Sequence, residues 1–444
     1  MRDFIYRGRR IHRVGLFGLG RSNLGVKEYL DREFPGLEYV LRCDGVTDAN
    51  GFDRVLCSSQ VGDKPYEDVV FVSPGVRRDR DELCAMQKSG VILSSDAELF
   101  CECAEIPIYA VSGSDGKSTT VTLASRMIGA PAIGNIGIAM SPLLGRKDVG
   151  CAVAELSSFQ LMWQTPRVYR ALITNISPNH LDWHHSYDEY IRAKENLFKA
   201  ADERVFNLDC EVSQEILKRY EARIVYSTKM STNEMRRVAK SDVYVGLNGE
   251  YIEVNGMKIL HTGAIKLKTA HNLTNIVSAI SLTYGHATCD DIERIAREFC
   301  GLPHRCEEVG CFDGVRYLDS SIDSTPRRTA TTLLSLKGEW VVMLGGRSKG
   351  LDYRELIEPL KEKAKLAVLT GESGKEIEEV LKNSGVKYVY EADFDTATAL
   401  ASDAARWCDG VVLSPASTSF DRFSSFEERG DHFKKTIRKL HNKD

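Results

Sequence analysis

Eight residues, Gly113-Ser114-Asp115-Gly116-Lys117-Ser118-Thr119-Thr120, constrain this chain more than any other stretch. They follow an apolar run of strand character within Pro107–Ser112 and precede a helical stretch, Val121–Met127. A glycine-rich loop between a strand and a helix turns backbone N–H groups and the positive helix end toward an anion. Glycine allows the close approach and unusual φ angles that this needs. In such a loop Lys117 neutralises phosphate charge and the Ser118 hydroxyl can hold Mg²⁺. The common phosphate-loop spacing would place glycine at position 111, where Val111 stands, so the loop here is tighter. The alternative is a purely structural turn.

The same alternation recurs along the chain. Short apolar runs at Arg13–Phe17, Val69–Val72, Cys151–Glu155, Ala171–Asn175, Val341–Leu344, Leu366–Leu369 and Gly410–Leu413 are separated by amphipathic stretches. That pattern predicts an α/β fold with mainly parallel sheets, whose ligand loops lie at the carboxyl ends of strands. The 444 residues suggest about three domains at roughly 150 residues each. Breaks near residues 103–106 and at Gly301-Leu302-Pro303 divide them as 1–103, 104–302 and 303–444.

Composition narrows the function. Lys and Arg number 59 against 63 Asp and Glu, a net charge of −4, so no basic field attracts nucleic acid or an anionic membrane. No apolar window reaches the roughly 18 residues of a transmembrane helix. Arg9-Arg10 lies in a basic N-terminal stretch, but no small-residue cleavage site follows, and a cytoplasmic protein is expected. Twelve cysteines include no CxxC pair; Cys101 and Cys103 form a CxC, and Cys300, Cys306 and Cys311 are loosely grouped. Reduced thiols are expected, with a zinc site as the alternative.

Three further residues carry chemistry. Glu155 ends an apolar strand, where a second Mg²⁺ ligand would sit, though a carboxylate at a helix start reads the same way. His180, in Asn175-Ile-Ser-Pro-Asn-His-Leu-Asp182, is either a metal or substrate contact or an ordinary loop histidine. Lys194 lies on a helix with Tyr190 and Phe198 at four-residue spacing, where an exposed lysine is the usual case.

Taken together, the chain resembles the Mur ligases, ATP-dependent amino-acid ligases of peptidoglycan precursor synthesis. The resemblance rests on GSDGKSTT (113–120), GNIG (134–137), ELSSFQL (155–161), NISPNHLD (175–182), the Lys194 helix, HNLTN (271–275), GLPHR (301–305), LGGRSKGLDY (344–353) and LSPASTSFDRFSSFEERG (413–430). It implies a Rossmann-like UDP-binding domain, a central P-loop ATPase domain and a Rossmann-like C-terminal domain that brings the amino acid. Within the family the motifs are most like those of members that join D-glutamate to UDP-N-acetylmuramoyl-L-alanine through an acyl phosphate. A monomer using small-molecule substrates is implied.

The resemblance also implies residue roles. Gly113, Ser114, Asp115, Gly116, Lys117, Ser118 and Thr119 would contact ATP phosphates, Asn272 and Asn275 the adenine side, and Arg305 and Asp319 the nucleotide from the hinge and last domain. Ser118 and Glu155 would hold one Mg²⁺; His180 and a carbamylated Lys194 would hold a second. Gly18, Gly20, Ser22 and Ser73 would face the UDP group, and Asn135, Ser157 and Gln160 the sugar and peptide stem. As a dinucleotide fingerprint, Gly18-Leu-Gly20 lacks a glycine at position 23, which argues against an NAD oxidoreductase. Lys349, Ser419 and Phe426 would receive the amino acid.

One stretch departs from the family. After Asp319-Ser320 the usual Lys-Ala-Thr-Asn is replaced by Ser321-Ile322-Asp323-Ser324. A cation is lost and a carboxylate gained near an anionic substrate, which is unfavourable unless another cation compensates. Arg327 or Arg328 is expected to do so; otherwise the acceptor differs. A related ligase with another acceptor or UDP-substrate, a folylpolyglutamate-synthase-like enzyme, or a non-catalytic nucleotide-binding protein are the alternative readings.

Overall fold

Val69–Val72, Ile108–Ser112 and Trp340–Gly345 are buried throughout and form interior strands of three separate sheets. Continuous apolar runs of this kind belong to parallel sheets covered on both faces. The computed structural model describes residues 3–43, 51–56, 65–181, 183–267, 269–348 and 350–441. The chain divides into two compact units, Met1–Phe299 and Cys300–Asp444. The expected α/β class is observed.

In the first unit, a five-stranded parallel sheet runs Arg54–Leu56, Glu38–Arg42, Arg13–Phe17, Val69–Val72, Ile92–Ser94 among the described residues. The first of these in sequence, Arg13–Phe17, lies in the middle, so the chain departs to one side and returns to the other. The crevice created at its carboxyl end is where open α/β sheets bind ligands. Gly18 stands there at φ +82, with Ser73 across the crevice on the neighbouring strand's exit.

A nine-stranded sheet follows in the same unit: Met257–His261, Tyr251–Val254, Ser241–Asn248, Ala222–Tyr226, Ala201–Asn207, Val168–Ile173, Ile108–Ser112, Ala152–Glu155, Ala132–Gly134. Its first strand, Ile108–Ser112, is again interior, between the strand ending in Glu155 and the strand leading to Thr174. The glycine-rich loop therefore opens at a switch point. The strands from Ala201 onward are not anticipated by the motif reading. The last two are antiparallel, joined by Asn255-Gly256 at φ +52 and +92, the left-handed pair a tight hairpin needs.

The second unit holds a six-stranded sheet: Glu307–Phe312, Val315–Asp319, Gly410–Leu413, Trp340–Gly345, Ala364–Thr370, Tyr388–Tyr390. One face packs Leu333, Leu356, Leu360, Ile377 and Leu381, the other Phe394, Ala397, Ala401, Phe433 and Ile437. Asp319, Leu413 and Gly345 end three adjacent strands at one edge.

Candidate active site

The phosphate-type loop is braced from beneath by the strand exit at Thr174-Asn175. Ser114 N donates to Asn175 O (2.8 Å), Asp115 N to Asn175 Oδ1 (3.0 Å), and Thr174 Oγ1 to Asp115 O (2.6 Å). Gly113 has φ +142, and a side chain there would strike Thr174 Oγ1. Gly116, at φ +77, caps the helix Lys117–Ile128 and touches Asn275, where any Cβ would collide with its amide. Lys117 Nζ curls back to Ser114 O at 2.8 Å. Ser118 and Thr119 open the helix and are nearly buried.

Lys194 comes from the helix Tyr187–Lys199, which Ser186 caps through Glu189 N. Tyr190, Ala193, Leu197 and Phe198 share the buried face, so four-residue periodicity carries Lys194 inward with them. Its Nζ donates to Gly113 O at 2.7 Å and lies over the Tyr190 ring; it is 1% exposed. Burial, with the Lys117 cation nearby, holds this amine well below the usual lysine range; Glu155 and Asp115 oppose the shift. Glu155, also 1% exposed, accepts from Asn135 Nδ2 at 2.8 Å through one oxygen, while Oε2 is buried without a hydrogen-bond partner. A buried carboxylate oxygen left unmatched is costly, and a cation removes that cost. His180 is exposed, at φ +53, with its ring edge-on to Phe159 at 5.0 Å. Asn272 is tied to the helix cap Thr269 at 2.9 Å.

At the crevice of the five-stranded sheet, Asn23 Nδ2 bridges Phe17 O, Gly18 O, Phe71 O and Ser73 Oγ. The missing glycine at 23 thus has a reason: an amide there ties the turn together. Close packing falls instead on Gly25, where a Cβ would meet Ala139. Gly20 caps the helix Arg21–Glu33, with Ser22 in its first turn. Ser157 and Gln160 satisfy each other in a capping box at the start of Ser158–Leu161.

In the second unit, His304 sits at φ +59 and its Nδ1 meets Asp319 Oδ2 at 2.7 Å. Asp319 is fully buried and also accepts from Ser321 N. Arg305 follows on the same turn. Lys434 lies 2.8 Å from Glu307 and 3.8 Å from Asp319, balancing this acidic group.

Asp323 is not the unpartnered carboxylate that the altered motif suggests. It is buried and accepts from Thr332 Oγ1 and Ser414 Oγ, both at 2.8 Å. Ser321 Oγ donates to Phe426 O and accepts from Arg429 Nε at 2.9 Å. Arg429 is 1% exposed, donates further to Ser321 O and Ser417 O, and keeps NH1 buried without a partner. Burial pulls its guanidinium down to about 10, so it stays charged at neutral pH. A cation therefore stands against the substituted serine, and it is Arg429. Arg328 is exposed and reaches Ile322 O at 3.3 Å; Ser419 is buried; Lys349 lies outside the described residues.

The chain matches the family models of the Mur ligase middle domain over residues 111–283 and the Mur ligase glutamate ligase domain over 304–417. It is 34% identical to the UDP-N-acetylmuramoylalanine–D-glutamate ligase of Ruminiclostridium cellulolyticum, covering 96% of this chain and 97% of that one. It is 36% identical to the ligase of the same name from Acetivibrio thermocellus, covering 84% and 83%. It belongs to the Mur ligase family. Among solved structures, the UDP-N-acetylmuramate–alanine ligase of Thermotoga maritima aligns with a TM-score of 0.60 at 17% identity, over 96% of this chain and 99% of that one. MurF of Acinetobacter baumannii aligns at 0.54 and 16%, over 98% and 94%. These likenesses show a shared α/β fold, consistent with a three-domain Mur ligase architecture.

Mur ligases are ATP-dependent and generally need Mg²⁺. No helix among the described residues of this Mur ligase is long and apolar enough to cross a membrane. Of the residues expected at the site, the structure brings Gly113, Ser114, Asp115, Lys117, Glu155 and Lys194 into one neighbourhood, and sets Asn275 against Gly116. Arg77, Trp183, His184 and Arg429 escape the motif reading. For Arg429 a signal existed, the helix-opening motif Phe426-Glu-Glu-Arg-Gly430; for Arg77 none did.

Proposed function

We propose that this Mur ligase joins D-glutamate to UDP-N-acetylmuramoyl-L-alanine in peptidoglycan precursor synthesis, using ATP and Mg²⁺. The observation that carries the reading is a phosphate loop set beside two buried unlike groups, Glu155 and Lys194, in a chain whose near full-length relatives bear that ligase's name. The substrate carboxylate takes the γ-phosphoryl group of ATP to become an acyl phosphate. The amine of D-glutamate then attacks the carbonyl carbon, and phosphate leaves. Most of the acceleration in such transfers comes from positioning and from positive charge around the phosphoryl oxygens.

The residues divide that work. Gly113, Gly116, Ser118 and Thr119 offer backbone N–H groups to the phosphates, Ser114 and Asp115 shape the loop around them with their own N–H groups held by Asn175, and Lys117 turns from Ser114 O toward them. Asn272 and Asn275 border the adenine, with Arg305 on the phosphate side and Asp319 fixing the His304-Arg305 turn. The unmatched Glu155 Oε2 and the Ser118 hydroxyl suit a hard cation, and His180 with Lys194 suits a second. Bound Mg²⁺ would supply screening of the charge on the transferring group. Burial holds the Lys194 amine well below the usual lysine range, which favours a lone pair able to add to CO₂: the N–C bond would form as one C=O π bond opens, a nitrogen proton would pass to water, and a carbamate able to face a cation would result. Gly18, Gly20, Ser22 and Ser73 line the UDP crevice; Asn135, Ser157 and Gln160 border the sugar and peptide stem. Lys349, Ser419, Phe426 and Arg328 form the acceptor site. The working domains are 1–103 for the UDP group, 104–302 for ATP and 303–444 for the amino acid. A cytoplasmic monomer acting on small molecules suits these substrates.

The test is phosphate release from ATP with UDP-N-acetylmuramoyl-L-alanine and a panel of D- and L-amino acids, with product mass. Release is expected with D-glutamate, and Lys117→Met is expected to lower kcat by roughly 10²- to 10³-fold. Stimulation by a different amino acid would overturn the acceptor, and nucleotide binding without release would overturn the ligase reading.

A further inference from the structure

Arg77 follows the Ser73-Pro74-Gly75 turn that faces the UDP crevice. Its NH1 donates to Trp183 O at 2.6 Å, and its guanidinium lies 4.9 Å from the Trp183 ring centroid. It also reaches Glu189 at 3.4 Å and Asp79 at 2.5 Å. Trp183 returns the contact, its indole N–H donating to Gly75 O at 3.3 Å. Two segments from distant parts of the sequence thus grip each other, Arg77 through the ring and carbonyl of Trp183 and Trp183 through the carbonyl of Gly75.

The other end of this grip is the turn that carries His180. Trp183 N and His184 N both donate to His180 O, at 3.1 and 2.9 Å, closing the turn that holds His180 at φ +53. Phe159 packs on Trp183 with ring centroids 4.4 Å apart, and on His180. His184, fully buried, meets Ser158 Oγ through Nε2 at 2.9 Å, fastening the same turn to the segment just beyond Glu155. A non-glycine residue in the left-handed region persists only where its surroundings over-determine it. Here they come from two sides, and one side is the UDP crevice.

We propose that Arg77 and Trp183 form a positioning strap that couples the UDP-substrate turn at Ser73–Gly75 to the His180 turn of the phosphoryl-transfer site. Arg77 is a positioning residue: it acts through Trp183 on His180. Substrate seated against Ser73–Gly75 settles that turn, and the strap carries the order to His180. Arginine suits the task because its planar fork reaches the Trp183 carbonyl and Glu189 together while stacking on the indole, which lysine cannot reproduce. The inference rests on the ligase reading above.

The experiment uses the full chain, with phosphate release followed in ATP, UDP-N-acetylmuramoyl-L-alanine and D-glutamate. Wild-type silence would sink the ligase reading itself. With the wild type active, Arg77→Met and Trp183→Phe are each expected to lower kcat by about 10- to 100-fold while the KM for ATP and for the UDP-substrate hold. Arg77→Lys should not rescue. The double variant should be no slower than the slower single one, as befits residues acting as one unit. UDP-substrate alone should change tryptophan emission in the wild type and not in Trp183→Phe. Should Arg77→Met fold poorly, Trp183→Phe carries the test alone. A raised KM for the UDP-substrate with kcat unchanged would make Arg77 an ordinary substrate contact and overturn the strap. Unchanged kinetics, or losses that multiply in the double variant, would overturn it too.

Discussion

Arg429 and Arg328 are both arginines within reach of the altered Ser321–Asp323 stretch, yet they differ in what holds them. Arg429 is buried and gives three hydrogen bonds to Ser321 and Ser417; Arg328 is exposed and gives one, to Ile322 O. Removing a donor from a buried acceptor costs about 1–3 kcal/mol for each acceptor left without a partner. Arg429→Met is therefore expected to lower the melting temperature of the second unit and to raise the D-glutamate concentration needed for half-maximal rate. Arg328→Ala should raise that concentration and leave melting unchanged. Calorimetry and phosphate-release kinetics on the two variants check this; D-glutamate response like wild type in both would remove the pair from the acceptor site.

The loop Gly113–Gly116 shows why an element needs its glycines for different reasons. Gly116 has a left-handed φ and no room beyond its Cα, since Asn275 fills the space; Gly129, at the other end of the same helix, has a left-handed φ and open space. Both alanine variants meet backbone strain, about 1–2 kcal/mol for the left-handed conformation. Gly116→Ala must also push Asn275 away. We expect Gly129→Ala to cost only stability, while Gly116→Ala raises the KM for ATP as well. Equal ATP kinetics in the two variants would show that the Gly116–Asn275 contact does not shape the nucleotide site.

Across the whole molecule, the two units have separate hydrophobic cores. Separate cores unfold as separate cooperative steps unless something couples them. Leu344, 1% exposed in the second unit, gives a probe. Leu344→Ala is expected to cost about 2–5 kcal/mol and to lower one calorimetric transition while leaving the other in place. A single transition that moves as a whole would show that the units unfold together.

The glycine-rich loop, the strand ending in Glu155 and the α/β alternation were readable from the chain because each is a local pattern with a local cause. Lys194 was half readable. Its helix is legible from the spacing of Tyr190 and Phe198, but an exposed lysine is the usual expectation there, and only the packing beneath Gly113 buries the amine and holds it well below the usual lysine range. The strap was not readable at all, and Arg429 was readable only as one letter of the Phe426–Gly430 motif, without its partner. Arg77 meets Trp183 across 106 residues and Arg429 meets Ser321 across 108. A surface arginine and a buried one are the same letter, and what separates them is which distant carbonyls the folded chain brings within reach. Local order follows from neighbours in sequence, whereas the partner of a long polar side chain is chosen by neighbours in space.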